Sequence, residues 1–174
     1  MINTKNEKLI IVGASGSGKD YLLRQLTKEG LDPSVKVTTR PIREGEIEGQ
    51  NYHFKTIDEF DKLELIVSQE FYNDKGHLWK YGVLKEDFNS AQVFIMTPGE
   101  ILQINEDIRK NCFVVYLDID RSVREKRLFR REDQNDSVSR RLNADEKDFK
   151  DFKDYDLKIT DPEFDSESIL SLMY

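Results

Sequence analysis

Apolar and polar positions fall into blocks along the chain. Leu9-Ile10-Ile11-Val12, the centre of residues 92–96 and Cys112-Phe113-Val114-Val115-Tyr116-Leu117 are short apolar runs. Runs of this length, with few polar interruptions, suit strands buried on both faces. Residues 8–12, 35–38, 52–54, 92–96, 112–117 and 157–160 read as strands. Between them the period changes. Residues 19–29 place Leu22, Leu23 and Leu26 on one helical face. Residues 57–62 and 85–90 read as short helices, and residues 100–110 as one helix started after Pro98-Gly99. Residues 121–131 and 138–153 read as charged helices, and a last helix runs to the C-terminus. Residues 65–72 and 78–83 alternate as two strands. Asn73-Asp74-Lys75-Gly76 between them is a hairpin turn.

Strands alternating with helices at the two ends predict a parallel sheet covered on both faces. Residues 33–88 differ, with hairpin signals and little helix. The expected fold is α/β: a single domain whose core spans about 1–32 and 89–174. A small β-rich subdomain spans about 33–88, and a helical lid about 121–142.

Composition narrows the setting. The 174 residues carry a net charge of −7, which argues against coating nucleic acid. Charge is uneven: Arg121, Arg124, Lys126, Arg127, Arg130, Arg131, Arg140 and Arg141 crowd one region. Cys112 is the single cysteine, so no intrachain disulfide forms, and its apolar run gives it a buried, structural role. No apolar stretch reaches membrane-span length and no signal-peptide core opens the chain, so a cytoplasmic protein without membrane partners is expected.

The chemistry begins after the first apolar run. Gly13 to Asp20 read Gly-Ala-Ser-Gly-Ser-Gly-Lys-Asp. A buried strand, a glycine-rich turn, a lysine and a helix form a phosphate-binding loop. Glycines let backbone N–H groups wrap around phosphate oxygens, and the helix points its positive end at the same place. Gly13, Ser15, Gly16, Ser17, Gly18, Lys19 and Asp20 are therefore candidate nucleotide-phosphate ligands, with Lys19 the cation for the β- and γ-phosphates. Asp20 stands where the usual pattern has a hydroxyl residue that touches Mg²⁺. It reads either as a Mg²⁺ ligand or as an acid that favours the helix dipole.

A second constellation spans Val37-Thr38-Thr39-Arg40-Pro41-Ile42-Arg43-Glu44-Gly45-Glu46 through Gly49 to Tyr52-His53-Phe54. Arg40 and Arg43, three apart and stiffened by Pro41, can clamp one phosphate dianion. This block closely resembles the guanylate kinases, whose hallmark is T-T-R-x-x-R-x-G-E followed by Y-x-F. The resemblance covers roughly residues 8 to 160. It implies ATP-dependent phosphoryl transfer, with Mg²⁺, to a small nucleotide acceptor, GMP or dGMP. It implies an acceptor phosphate held by Arg40, Arg43, Tyr52 and Tyr81, the last in Trp79-Lys80-Tyr81-Gly82-Val83. It also implies that Arg131 and Arg141, bracketing the lid, stabilise the transferring group.

Base recognition departs from the family pattern. Lys36 replaces a serine that donates to the base oxo group, and a lysine there favours an oxo base over adenine. Glu70, with Glu64 behind it, is the candidate for the family's base-reading glutamate. Val93-Phe94-Ile95-Met96-Thr97-Pro98 lacks the family's aspartates. Asp118 and Asp120 follow an apolar strand as a metal-holding acid would, although Asp120 also reads as a helix cap. The Gly-Lys-Asp ending and Tyr81-Gly82-Val83 also resemble ribose 1,5-bisphosphate phosphokinases. A third reading is a non-catalytic guanylate kinase-like binding module.

Overall fold

The computed structural model describes residues 8–131 and 137–173. Part of the expected lid segment, 132–136, lies outside the described residues. A four-stranded, fully parallel sheet forms the centre, in the order β6-β1-β7-β8. Its strands are β1 (Lys8–Gly13), β6 (Val93–Ile95), β7 (Cys112–Leu117) and β8 (Leu157–Ile159). Two of the short apolar runs become the inner strands β1 and β7 and the third the edge strand β6, whose residues are covered on both faces.

Strand alternation sorts these residues into two cores. Ile10, Val12, Phe94, Met96, Val114 and Tyr116 face one side. There they meet Phe88 of α3 (Lys85–Ser90) and Ile101 of α4 (Pro98–Ile101). Leu9, Ile11, Val93, Val115 and Leu117 face the other side. There they meet Leu22 and Leu26 of α1 (Lys19–Lys28) and Ile169 of α8 (Ser166–Met173).

A second four-stranded sheet, order β3-β2-β5-β4, is built from β2 (Val37–Thr38), β3 (His53–Phe54), β4 (Leu65–Tyr72) and β5 (Leu78–Leu84). The hairpin joining β4 and β5 is fixed by Asn73, whose side-chain oxygen accepts from the Lys75 and His77 N–H groups at 3.0 and 2.8 Å. Gly76 takes φ 79° in that turn.

Two helices differ from expectation. Residues 100–110 are two short helices, α4 and α5 (Glu106–Arg109). Thr97 caps the first in a reciprocal capping box with Glu100, with Pro98 at its start, and Asn105 caps the second through the Ile108 N–H. A cap at Asn105 restarts the helix and ends any continuous run through it. The helix expected over 138–153 is α7 (Val138–Phe149) and stops early. Phe149, Phe152 and Tyr155 pack around the Tyr116 ring instead. Between β7 and α7 runs α6 (Arg121–Arg130), and α2 (Ile57–Phe60) carries its own capping box on Thr56. Among the described residues, no helix is long and apolar enough to cross a membrane.

Candidate active site

The loop after β1 is held from several sides. Gly16 and Gly18 take φ 78° and 101°, and Gly18 caps α1 with its backbone. A Cβ on Gly16 would meet the Arg124 carbonyl oxygen at 2.8 Å, so α6 lies directly against the loop. Arg124 Nη1 reaches the Ser15 carbonyl at 3.4 Å. Arg127 Nη1 donates to the Gly16 carbonyl at 3.2 Å and its Nη2 to Pro162 at 3.1 Å. The Ser17 hydroxyl is buried against Gly13, so Ser17 serves the turn through its N–H, which donates to Ala14.

Lys19 Nζ curls over the loop and donates to the carbonyls of Gly13 at 2.7 Å and Ala14 at 3.1 Å. Burial pushes its pKa down; Asp20 and Asp145 oppose this, while the charges of Arg141 and Arg131 add to it. Both arginines expected from the sequence to bracket the lid thus act electrostatically on the loop lysine. Asp145 of α7 accepts a hydrogen bond from the Ser15 N–H at 2.9 Å.

The acceptor residues share one face of the second sheet. Thr38 lies opposite Tyr81 and beside Phe54, and Gln69 lies opposite Tyr81. Side chains alternate along strands, so Lys36, Thr38, Tyr52, Phe54, Gln69 and Tyr81 line that face. Arg40 is buried among them, its guanidinium 5.2 Å from the Tyr52 ring and 5.7 Å from Phe54. Tyr52 and Tyr81 meet edge to face at 6.0 Å. Glu46 grips the Arg40 fork with both oxygens, at 3.0 and 2.7 Å, and accepts the Arg43 N–H at 2.7 Å. Burial opposes ionisation of Glu46, but the hydrogen bonds from Arg40 and the Arg43 backbone hold its pKa below the ordinary value. Burial pushes the Tyr81 phenol up against the pull of Arg40 and Arg43.

The Asp20 charge acts on both groups. Its carboxylate acts on Lys19 on the loop side. It also adds to burial and Tyr81 in raising the Tyr52 phenol on the sheet side.

Glu70 does not join this face. It sits opposite Lys80, on the other side of the sheet, is exposed, and pairs with Lys80 at 3.3 Å. Strand parity puts Gln69 in its place, and the Thr97 hydroxyl hydrogen-bonds to the Gln69 side-chain oxygen. Lys36 Nζ lies 2.5 Å from Glu100 Oε1. Glu100 is fully buried, and its other oxygen accepts the Thr97 N–H at 2.8 Å. Asp118 is engaged by Lys158 at 2.7 Å and the Tyr116 hydroxyl at 3.2 Å, and Asp120 caps α6.

Sequence reasoning did not single out Gln69, Glu100, Arg124 or Asp145 as neighbours of the candidate site. The Thr-x-x-Glu spacing of 97–100 signals a capping box, but not that the glutamate is buried beside Lys36.

The family model for guanylate kinase matches residues 5–77. A guanylate kinase of Wolinella succinogenes is 32% identical over 98% of this chain and 84% of its own length. One of Mesorhizobium japonicum is 30% identical over 94% and 79%. The crystal structure of a guanylate kinase from Anaplasma phagocytophilum aligns with a TM-score of 0.72 at 22% identity, over 99% of this chain and 87% of that one.

Proposed function

We propose, because the chain belongs to the guanylate kinase family, that it moves the γ-phosphoryl group of ATP onto GMP or dGMP. A glycine-rich loop closed over by Lys19, together with a buried Arg40 braced by Glu46 beside Tyr52, carries this reading.

Backbone N–H groups at the start of α1 and the Lys19 ammonium bind the ATP phosphates. Arg40, Arg43, Tyr52 and Tyr81 hold the acceptor phosphate. A phosphate dianion is already a nucleophile, so no general base is required, and the rate comes from alignment and charge stabilisation. Arg131 and Arg141 offset the charge that spreads over the moving group. Glu46 is a positioning residue that fixes the plane of the Arg40 fork.

Among the described residues, no group of three or more His, Cys, Asp or Glu forms a metal site. Mg²⁺ needs only one or two carboxylates when phosphates and water complete its shell. A single acid at Asp20 fits that requirement, and the ion would neutralise charge on the β- and γ-phosphates.

At the far end of the acceptor face, Lys36 keeps ammonium donors beyond its bond to Glu100. These suit an oxo base and are unmatched by the amino group of adenine. Glu100 positions that ammonium.

The test is ADP release with GMP, dGMP, AMP and ribose 1,5-bisphosphate as acceptors. Turnover on GMP or dGMP, lost by at least a hundredfold in Arg40→Ala, is the expected result. Turnover on none of the nucleotides would overturn the assignment.

A further inference from the structure

Asp145 places a carboxylate inside the phosphate loop. Its Oδ2 takes the Ser15 N–H at 2.9 Å, and its charge acts on Lys19. Both groups belong to the cradle assigned above to the ATP phosphates, so this inference rests on that assignment. A second seat lies close by. Arg124 Nη1 is 3.7 Å from the same oxygen, too far for a hydrogen bond and near enough to form one after a side-chain swing. Arg124 itself is buried and anchored through Nε to the Ile119 carbonyl at 2.9 Å, so this seat is fixed.

We infer that Asp145 is a toggling positioning residue that fills the Ser15 N–H until a nucleotide phosphate displaces it onto Arg124. In the first seat the carboxylate satisfies the loop amide and partly neutralises Lys19. In the second, both are released to a phosphate, and the 3.7 Å ion pair Asp145 already makes with Arg124 closes to a hydrogen bond. Arg141 lies one turn earlier on the same helix and also acts on Lys19. Asp145 thereby raises the threshold for binding a triphosphate while keeping the loop shaped.

A purely structural role predicts the opposite sign, because losing a loop-holding contact would weaken nucleotide binding. The experiment is calorimetric titration of the full chain with the β,γ-imido analogue of MgATP, for the parent and for Asp145→Asn. The inference expects roughly tenfold tighter binding in D145N, as a charged competitor is removed from one amide. The KM for ATP should fall while that for GMP is unchanged. Equal or weaker analogue binding by D145N would overturn the inference. No analogue binding by the parent would instead overturn the functional assignment beneath it.

A second measurement needs no variant. Carbodiimide labelling of carboxylates in the parent, mapped by mass spectrometry, should modify Asp145 at a different rate from the neighbouring acids once the analogue is bound. Unchanged labelling of Asp145 on saturation would sink the toggle even if D145N failed to fold.

Discussion

Arg40 shows how one residue can serve stability and binding together. It is 3% exposed, and Glu46 is its charge partner. Removing one partner of a buried pair leaves a desolvated charge, so Glu46→Ala should cost about 3 kcal/mol. Urea unfolding measures this, and a loss below about 1 kcal/mol would contradict the buried-pair account. The pH dependence has a definite sign. The unfolded glutamate titrates near 4.5 and the folded one lower. Its contribution is complete above 4.5 and is lost as the pH falls through the lower folded value. The melting-temperature gap between the parent and Glu46→Gln should narrow in acid; a widening gap would reverse the sign. Gln69 and Glu70 make a second case. Gln69→Ala should raise the KM for GMP, whereas Glu70→Ala should leave it within about twofold, because an exposed ion pair contributes little. The family resemblance pointed to Glu70, with Glu64 behind it, as the base reader. The hairpin register, set by the Asn73 turn, decided for its neighbour, and a one-residue shift reverses the face. That register is not written in the residue types themselves.

At the level of elements, the turn from β1 into α1 is the most tightly specified. Gly16 combines a left-handed backbone with an Arg124 carbonyl 2.8 Å from any added Cβ. Gly16→Ala should therefore destabilise the fold by about 2 kcal/mol and weaken ATP binding together. Thermal melts and analogue titration would show both losses, and a variant as stable as the parent would contradict the packing described. The strands of the central sheet were legible because their apolar runs admit one reading. The split between α4 and α5 was harder to see: residues 100–110 carry a helical pattern, and the interruption depends on the Asn105 side chain choosing a cap over a helix interior. The early end of α7 has another cause. The Tyr116 ring gathers Phe149, Phe152 and Tyr155, and a continuous helix could not bring all three to it.

Across the whole molecule, the two sheets are tied at one end by Lys36 to Glu100 and Gln69 to Thr97. Lys36→Met alone should cost about 3 kcal/mol, since Glu100 is then buried without its counter-ion. The double change Lys36→Met with Glu100→Leu should recover most of that stability, yet lose the preference for GMP over AMP. Paired urea melts and acceptor assays separate the two effects; a stable double variant with full preference would remove Lys36 from base recognition. The sequence carried signals for both sheets, as apolar runs in one and as the 73–76 hairpin turn in the other. The tie between them joins residues 64 positions apart and had no local signature.

Lys19 opens α1 behind the central sheet's first strand, and Arg40 follows β2 of the second sheet; carboxylates of its own neighbourhood act on each. Water brings no anion to engage Arg40 and gains nothing from its alignment. On the proposed function, hydrolysis of the triphosphate should therefore stay slow until an acceptor phosphate bridges the two groups.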